Sequence, residues 1–288
     1  MNNFSTSKAL FSKNLSLNLG GVIMDLSTPR VMGIINVTPD SFYDGSRVPG
    51  PEEALEKARQ MIEQGADILD VGAVSTKPGS VEISESDELE RLSPTLEALR
   101  ENFPEIPLSV DTWRSGVVLS VNERFGVHMI NDISAGTLDP KMFSTVAKLG
   151  IPYVMMHMQG TPRTMQDEPA YENVVDDLLQ FFAERVYKLR KLGVNDIIID
   201  PGFGFGKTLE QNYKLLSEFD SFRILELPLM AGISRKSMIY KLLESEPDQA
   251  LNGTTAAHMA VLLKGASLLR VHDVAAARET VKIFQQIY

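Results

Sequence analysis

No cysteine occurs in the 288-residue chain, which excludes disulfides, thiolate metal sites and cysteine nucleophiles. Any metal must be held by oxygen or by one of four histidines. No apolar run approaches the roughly 18 residues of a membrane span, and the N-terminal MNNFSTSKALFSKNL lacks the continuous apolar core of a signal peptide. Positive charge is scarce, with 28 Lys and Arg against 38 Asp and Glu, giving a formal charge of −10. That balance argues against a broad nucleic-acid surface, which needs clustered cations. The expectation is a cytoplasmic protein that acts on small molecules and has neither nucleic acid nor membrane as a partner. What is present, 43% hydrophobic and 23% charged residues, suits a globule able to bury roughly three quarters of its unfolded surface.

One pattern recurs along the chain. Short runs rich in Val, Ile, Leu and Met alternate with longer amphipathic segments. The runs predict strands at Val31–Val37, Asp67–Val71, Leu108–Asp111, Val127–Asp132, Tyr153–Met158, Asp196–Asp200, Leu229–Ile233 and Ser267–His272. Helices are predicted at Glu52–Gln64, Ser86–Asn102, Ser115–Arg124, Pro140–Leu149, Asn173–Leu192, Leu209–Phe219, Thr254–Lys264 and about Val274–Gln286. Several end on a glycine, as at Leu149-Gly150 and Leu192-Gly193. Parallel strands need helical crossovers, and eight strand–helix units in about 260 residues match a closed (β/α)8 barrel of the TIM type. An open doubly wound sheet is the alternative, but no dinucleotide fingerprint follows the first strand. Ahead of the barrel (29–288), residues 1–28 form an extension, in which SLNLGGVIMDLST alternates around Gly20-Gly21 as a β-hairpin would. That hairpin reads as a lid or a lead-in.

Polar residues close the strands. Asn36, Asp111, Asn131 with Asp132, His157, Asp200, and Arg270 with His272 each end an apolar run, and Ser234-Arg235-Lys236-Ser237 follows the seventh strand. A single strand-end acid is often a helix cap, but so many at one end of successive strands resemble a site, because charge in a barrel mouth costs desolvation unless partnered. Asp111, Asn131 and Asp200 suit a flat heterocycle bearing amino and lactam groups. Thr76, Lys77, Ser234, Arg235, Lys236, Arg270 and His272 suit phosphate. Asn36 with Asp40 and Asp44 offers oxygen to a hard cation such as Mg²⁺. The stretch DPGFGFGKT (200–208) is not a P-loop, since Gly202 to Gly206 leaves three intervening residues where four are required. Phe205 reads as a ligand contact and Phe203 as core, while His128, His258 and Trp113 read as structural. Of the strand-spaced Met155, Met156 and Met158, only Met156 suggests a pocket floor.

With these residues assembled, the chain resembles the dihydropteroate synthases of the folate pathway. The resemblance is carried by GIINVTPDSFYDG (33–45), DVGAVSTKPGS (70–80), SVDT (109–112), INDISAG (130–136), MMHMQGTPRTMQ (155–166), DPGFGFGK (200–207), GISRKS (232–237) and RVHDV (270–274). It implies condensation of 6-hydroxymethyl-7,8-dihydropterin pyrophosphate with 4-aminobenzoate by a homodimeric, monofunctional (β/α)8 barrel. By that similarity Asn36 holds Mg²⁺, and Asp111, Asn131, Asp200 and Lys236 hold the pterin above Met156. Thr76, Lys77, Arg270 and His272 meet the pyrophosphate. Ser75, Thr76, Lys77, Pro78, Phe205 and Ser234 form the aminobenzoate pocket. Asp40 and Asp44 ride a first loop that closes over the reacting centre, where with Lys236, Arg270 and His272 they make the catalytic set.

One motif departs from the family. Its second loop usually reads Glu-Ser-Thr-Arg-Pro-Gly, and here it is Val74-Ser75-Thr76-Lys77-Pro78-Gly79, which keeps the charge but loses the planar fork. The uninterrupted DPGFGFGK implies that sulfonamides, which mimic aminobenzoate, bind. Two other readings stay open at this level: a pterin-binding methyltransferase barrel and a non-catalytic pterin-binding paralogue. The first would have no use for SRK (234–236) with RVH (270–272), and the second would have lost part of the polar set.

Overall fold

Residues that alternate between two environments build this fold. The computed structural model describes residues 15–37, 50–75, 83–165 and 169–288. The expected roles of Asp40, Asp44, Thr76, Lys77 and Pro78 lie outside the described residues.

A two-stranded antiparallel hairpin comes first, β1 (Ser16–Leu19) and β2 (Val22–Asp25). Gly20 and Gly21 turn it with φ of 65° and 98°, angles that a hairpin turn of this length needs and glycine supplies. Eight strands follow: β3 (Arg30–Asn36), β4 (Ile68–Gly72), β5 (Leu108–Asp111), β6 (Met129–Asp132), β7 (Tyr153–Met156), β8 (Ile197–Asp200), β9 (Met230–Ala231) and β10 (Leu268–Val271). Sequence neighbours pair in parallel from β3 to β8, and β10 pairs with both β3 and β9. Between β8 and β9 the seam is carried by a bridge of Ile199 to Leu229, with the Ile199 N–H donating to the Pro228 carbonyl at 2.9 Å. The ring is therefore nearly closed, and the open-sheet alternative falls.

Helices α1 (Pro51–Glu63), α2 (Glu85–Asn102), α3 (Ser115–Phe125), α4 (Met142–Leu149), α5 (Val174–Lys191), α6 (Leu209–Ser217), α7 (Ser237–Leu242), α8 (Leu251–Leu263) and α9 (Val274–Ile287) surround it. Local signals fix several ends. Ser84 caps α2 reciprocally with Asp87, Thr208 does the same for α6 with Gln211, and Gly150 closes α4 at φ 64°. Three expectations were displaced. The segment expected as helix to Phe219 ends at Ser217 and continues as a 3-10 helix over Phe219–Leu225. The short α7 carried too little periodic pattern to be expected. Helix α8 starts at Leu251 rather than Thr254, because Gly253 is a packing residue and not a breaker. A Cβ there would come within 2.4 Å of Ile239 on α7. Among the described residues no helix is long and apolar enough to cross a membrane.

Strand periodicity sorts side chains in the ring. Val31, Leu69, Val110, Ile130, Tyr153, Ile197 and Leu269 point outward into the main core beneath the helices. Met32, Ile68, Met129, Val154, Ile198, Met230 and Leu268 point inward and fill the N-terminal half of the barrel. Leu17 and Leu19 of the hairpin pack onto that inner layer and are buried, each such burial stabilising by about 1.5–3 kcal/mol. The hairpin is thus a plug in the N-terminal end. It is not a lid over the strand ends that carry the polar residues.

Candidate active site

Two residues further along each inward row, the apolar layer gives way to polar groups. Ile68 is followed by Asp70, Met129 by Asn131, Val154 by Met156, Ile198 by Asp200 and Leu268 by Arg270. Asn36 ends β3 with its residue exposed, and Asp111 ends β5. The same parity that keeps water out of one end assembles a charged mouth at the other.

Arg270 is the hub. Its Nε donates to Asp70 Oδ2 at 2.7 Å and its Nη2 to Asp111 Oδ2 at 2.6 Å, while Asn131 Nδ2 donates to Asp70 Oδ2 at 3.1 Å. Burial opposes charge on the guanidinium, but Asp70 and Asp111 outweigh it and hold the group above its ordinary range. The two acids differ in access. Asp70 is 0% exposed, whereas the Asp111 side chain keeps 17% of its surface open. Burial lifts Asp111 to about 7, with Asp70, Glu88 and Asp132 adding to the rise and Arg270 opposing it. Burial also raises Asp200, against the pull of Lys236, and lowers Lys236 to about 8, against the pull of Asp200. The mouth therefore holds an acid raised to about 7 beside a base lowered to about 8, and such mutually perturbed groups mark working sites.

The loop after β8 meets Lys236. Its Nζ donates to the Phe203 carbonyl and stands 4.2 Å from the centre of the Phe205 ring, a cation–π contact. Phe205 packs at the edge of a small apolar cluster formed by Trp113, Ile133, Met156, Met158 and Met165. Met156 belongs to that cluster at the end of β7, and Phe203 is core, as expected, stacked on Phe219 at 6.0 Å. Ser234 is tied to His272, receiving the His272 N–H at 3.2 Å with its hydroxyl 3.1 Å from the ring Nδ1. His272 is exposed at the rim, yet desolvation, then Arg270, draws its pKa down to about 4. Ser75 is half-buried just beyond β4.

Parity removes two strand-end candidates, and an ion pair removes a third from the phosphate set. Asp132 follows inward Asn131, so it points outward, where it accepts from the Tyr153 hydroxyl at 2.6 Å and from Ser134 and Gly136. His157 follows inward Met156 and packs edge-on against Phe181 of α5, 4.7 Å between ring centres. Arg235 leaves the phosphate set because its fork is closed on Asp273, with Nε–Oδ2 and Nη2–Oδ1 both at 2.7 Å. His128 and His258 are structural, as expected. The first meets Arg100 and the Leu108 N–H, and the second is buried in α8.

Two buried charged groups beside the mouth escaped the sequence reading. Asp70 lay inside an apolar run and not at its end. Lys207 looked like the remnant of a rejected P-loop, yet its buried ammonium organises the whole loop. It donates to the carbonyls of Gly202 and Phe205, both at 2.9 Å, and of His157 at 3.3 Å, and lies 3.2 Å from His157 Nδ1. The loop presses close to β7, since a Cβ on Gly202 would come within 2.1 Å of the His157 carbonyl. The paired glycine and lysine of DPGFGFGK were the only signal available.

Fold and mouth together define a (β/α)8-barrel enzyme that binds a polar heterocycle beside an anionic group. Comparison with known proteins narrows that class. The family model described as pterin binding enzyme matches residues 32–272. The dihydropteroate synthase of Haemophilus influenzae is 43% identical over 264 residues, covering 91% of this chain and 95% of that one. A Yersinia pestis dihydropteroate synthase in complex with a sulfonamide drug superposes with a TM-score of 0.89 at 41% identity, covering 95% and 98% of the two chains. A Xanthomonas albilineans dihydropteroate synthase with 4-aminobenzoic acid gives 0.87 at 40% identity, covering 96% and 98%. The chain belongs to the pterin-binding enzyme family, among its dihydropteroate synthases.

Proposed function

We propose that this chain joins 6-hydroxymethyl-7,8-dihydropterin pyrophosphate to 4-aminobenzoate, giving 7,8-dihydropteroate and pyrophosphate. The observation that carries this reading is the mouth itself, where Asp111, Asn131 and Asp200 share one rim with Lys236 and Arg270. Asp111 and Asp200 accept from the pterin amino and ring N–H groups, Asn131 and Lys236 serve its lactam side, and Met156 backs the ring. Arg270 and His272 donate to the pyrophosphate oxygens and so stabilise the charge that develops on the leaving group. Breaking the methylene C–O bond leaves a pterin methylene cation. The neutral amine of 4-aminobenzoate attacks that carbon and then loses a proton, so no activated protein nucleophile is required. The family resemblance assigns stabilisation of the cation to Asp44 and Asp40, and the aminobenzoate pocket to Phe205, Ser234 and Ser75 with Thr76, Lys77 and Pro78.

Mg²⁺ fits this site through its donor chemistry. Asn36 is exposed at the end of β3, and its side-chain amide can offer an oxygen to a hard cation. A cation with one protein oxygen and the rest of its shell from substrate and water is the usual Mg²⁺ arrangement. When bound, it would neutralise pyrophosphate charge. A homodimer and a cytoplasmic location belong to the same proposal. The dimer is supported by exposed apolar side chains on neighbouring helices, Leu242, Leu243, Leu263, Ile283 and Ile287.

The test is synthesis of dihydropteroate by the purified chain with both substrates and Mg²⁺, beside Asn36→Ala and Lys236→Ala. Product from the native chain and its loss in both variants is expected. A native chain that makes no product overturns the enzyme reading.

A further inference from the structure

The Arg270 ion pairs raise a problem for any substrate. Arg270 and Asp111 are bound to each other at 2.6 Å, yet both must turn to the ligand, one to an anion and the other to ring N–H donors. Taking a guanidinium away from its only buried counter-charge would leave that charge stranded, a cost of several kcal/mol. Arg270 has a second carboxylate. Asp70 lies one row below the rim, fully buried, and takes the guanidinium Nε at 2.7 Å and the Asn131 amide at 3.1 Å on the same oxygen. Its other oxygen, Oδ1, is buried and has no hydrogen-bond partner among the described residues, so the carboxylate is not saturated by the described core around it. A core counter-ion kept only for stability would be expected to have both oxygens satisfied. Asp70 instead contacts one residue from each half of the proposed site: Arg270, which faces the anion, and Asn131, which faces the heterocycle.

We propose that Asp70 is a positioning residue. Its buried carboxylate fixes Arg270 and Asn131 in one geometry while Asp111 and Arg270 exchange their mutual ion pair for the substrate. Nε stays committed to Asp70, and the exchange takes place at the Nη end of the fork. The idea rests on the dihydropteroate synthase reading.

The test is the pH profile of kcat/KM for the pterin substrate in Asp70→Asn. The charged groups facing Asp111 are Asp70 from β4, Glu88 from α2, Asp132 from β6, Arg270 from β10 and Lys236 beyond β9. Asp111 binds N–H donors as the carboxylate, so the native rate falls as pH drops through about 7. Removing Asp70's charge takes away an upward push and gives Arg270 wholly to Asp111. The acid limb then moves down by about one pH unit. Misplacement of Arg270 lowers kcat/KM about 100-fold. Asp70→Glu, which keeps the charge, should lose rate with its acid limb in place. In an Arg270→Gln background Asp70→Asn should cost little more, since the two act as a unit.

An unmoved limb in Asp70→Asn, a shifted limb in Asp70→Glu, or additive losses with Arg270→Gln each overturn the proposal. Thermal unfolding accompanies every variant, and if Asp70→Asn does not fold, the Asp70→Glu limb decides. Absence of product from the native chain defeats the synthase reading instead, so the two failures are distinguishable.

Discussion

The two ends of the barrel use the same strands, the same inward parity and residues only two positions apart. At the N-terminal end, Met32, Ile68, Met129, Val154, Ile198 and Leu268 meet Leu17 and Leu19 of the hairpin, and the interior is closed by apolar contact. At the C-terminal end, Asp70, Asn131, Asp200 and Arg270 follow two positions further along those strands, where burial raises Asp200, neighbouring carboxylates hold Arg270 above its ordinary range, and Asp70 Oδ1 has no hydrogen-bond partner among the described residues. One end is built for stability. The other carries charges that weaken the fold unless paired, and the pairing is arranged so that a ligand can take part in it.

The comparison can be broken from either end. The largest effect is expected at the mouth, where Lys236→Ala should lower kcat/KM about 1000-fold, read in steady-state synthesis, with little change in melting temperature. At the plug, Leu17→Ala should cost about 3 kcal/mol in denaturant unfolding and leave kcat unchanged at a temperature where the variant is folded. If Leu17→Ala abolished turnover in a folded protein, the division of labour would fail. Lys207→Met tests the scaffold of the mouth, because it removes a buried amine and strands three carbonyls. About 2 kcal/mol of stability should go, and KM for 4-aminobenzoate should rise more than kcat falls.

The pH dependence follows from the mouth alone. The rate on the pterin substrate should fall below about 7, as Asp111 gains a proton, and above about 8, as Lys236 loses one. A flat profile between pH 6 and about 9 contradicts those assignments. The smallest effect is expected at Lys77, where Lys77→Arg should change a substrate KM a few-fold by restoring the planar fork. Identical constants would show that the departure from the family motif is silent.

Much of this was legible in the sequence. Leu108–Asp111 and the start of Tyr153–Met156 were placed to the residue; Asp111, Asn131, Asp200 and Arg270 were named from the ends of apolar runs, Lys236 from the polar run after the seventh strand, and Met156 from its strand spacing. What failed was the sorting of adjacent polar residues. Asn131 and Asp132, or Met156 and His157, are one residue apart and on opposite faces, and only the register of the pleat tells which reaches the mouth. Asp70 was missed because apolar neighbours on both sides hid a charge that a partner 200 positions away neutralises. Arg235 was misread for a similar reason, since the carboxylates of Asp273 that close its fork are brought near by folding.

The most direct test of the division between the ends is calorimetric titration of 6-hydroxymethyl-7,8-dihydropterin pyrophosphate into three proteins: native, Leu17→Ala and Lys236→Ala. The account predicts binding to the native chain, the same affinity for folded Leu17→Ala, and loss of measurable binding in Lys236→Ala. Equal binding to native and Lys236→Ala, or loss confined to Leu17→Ala, would contradict it.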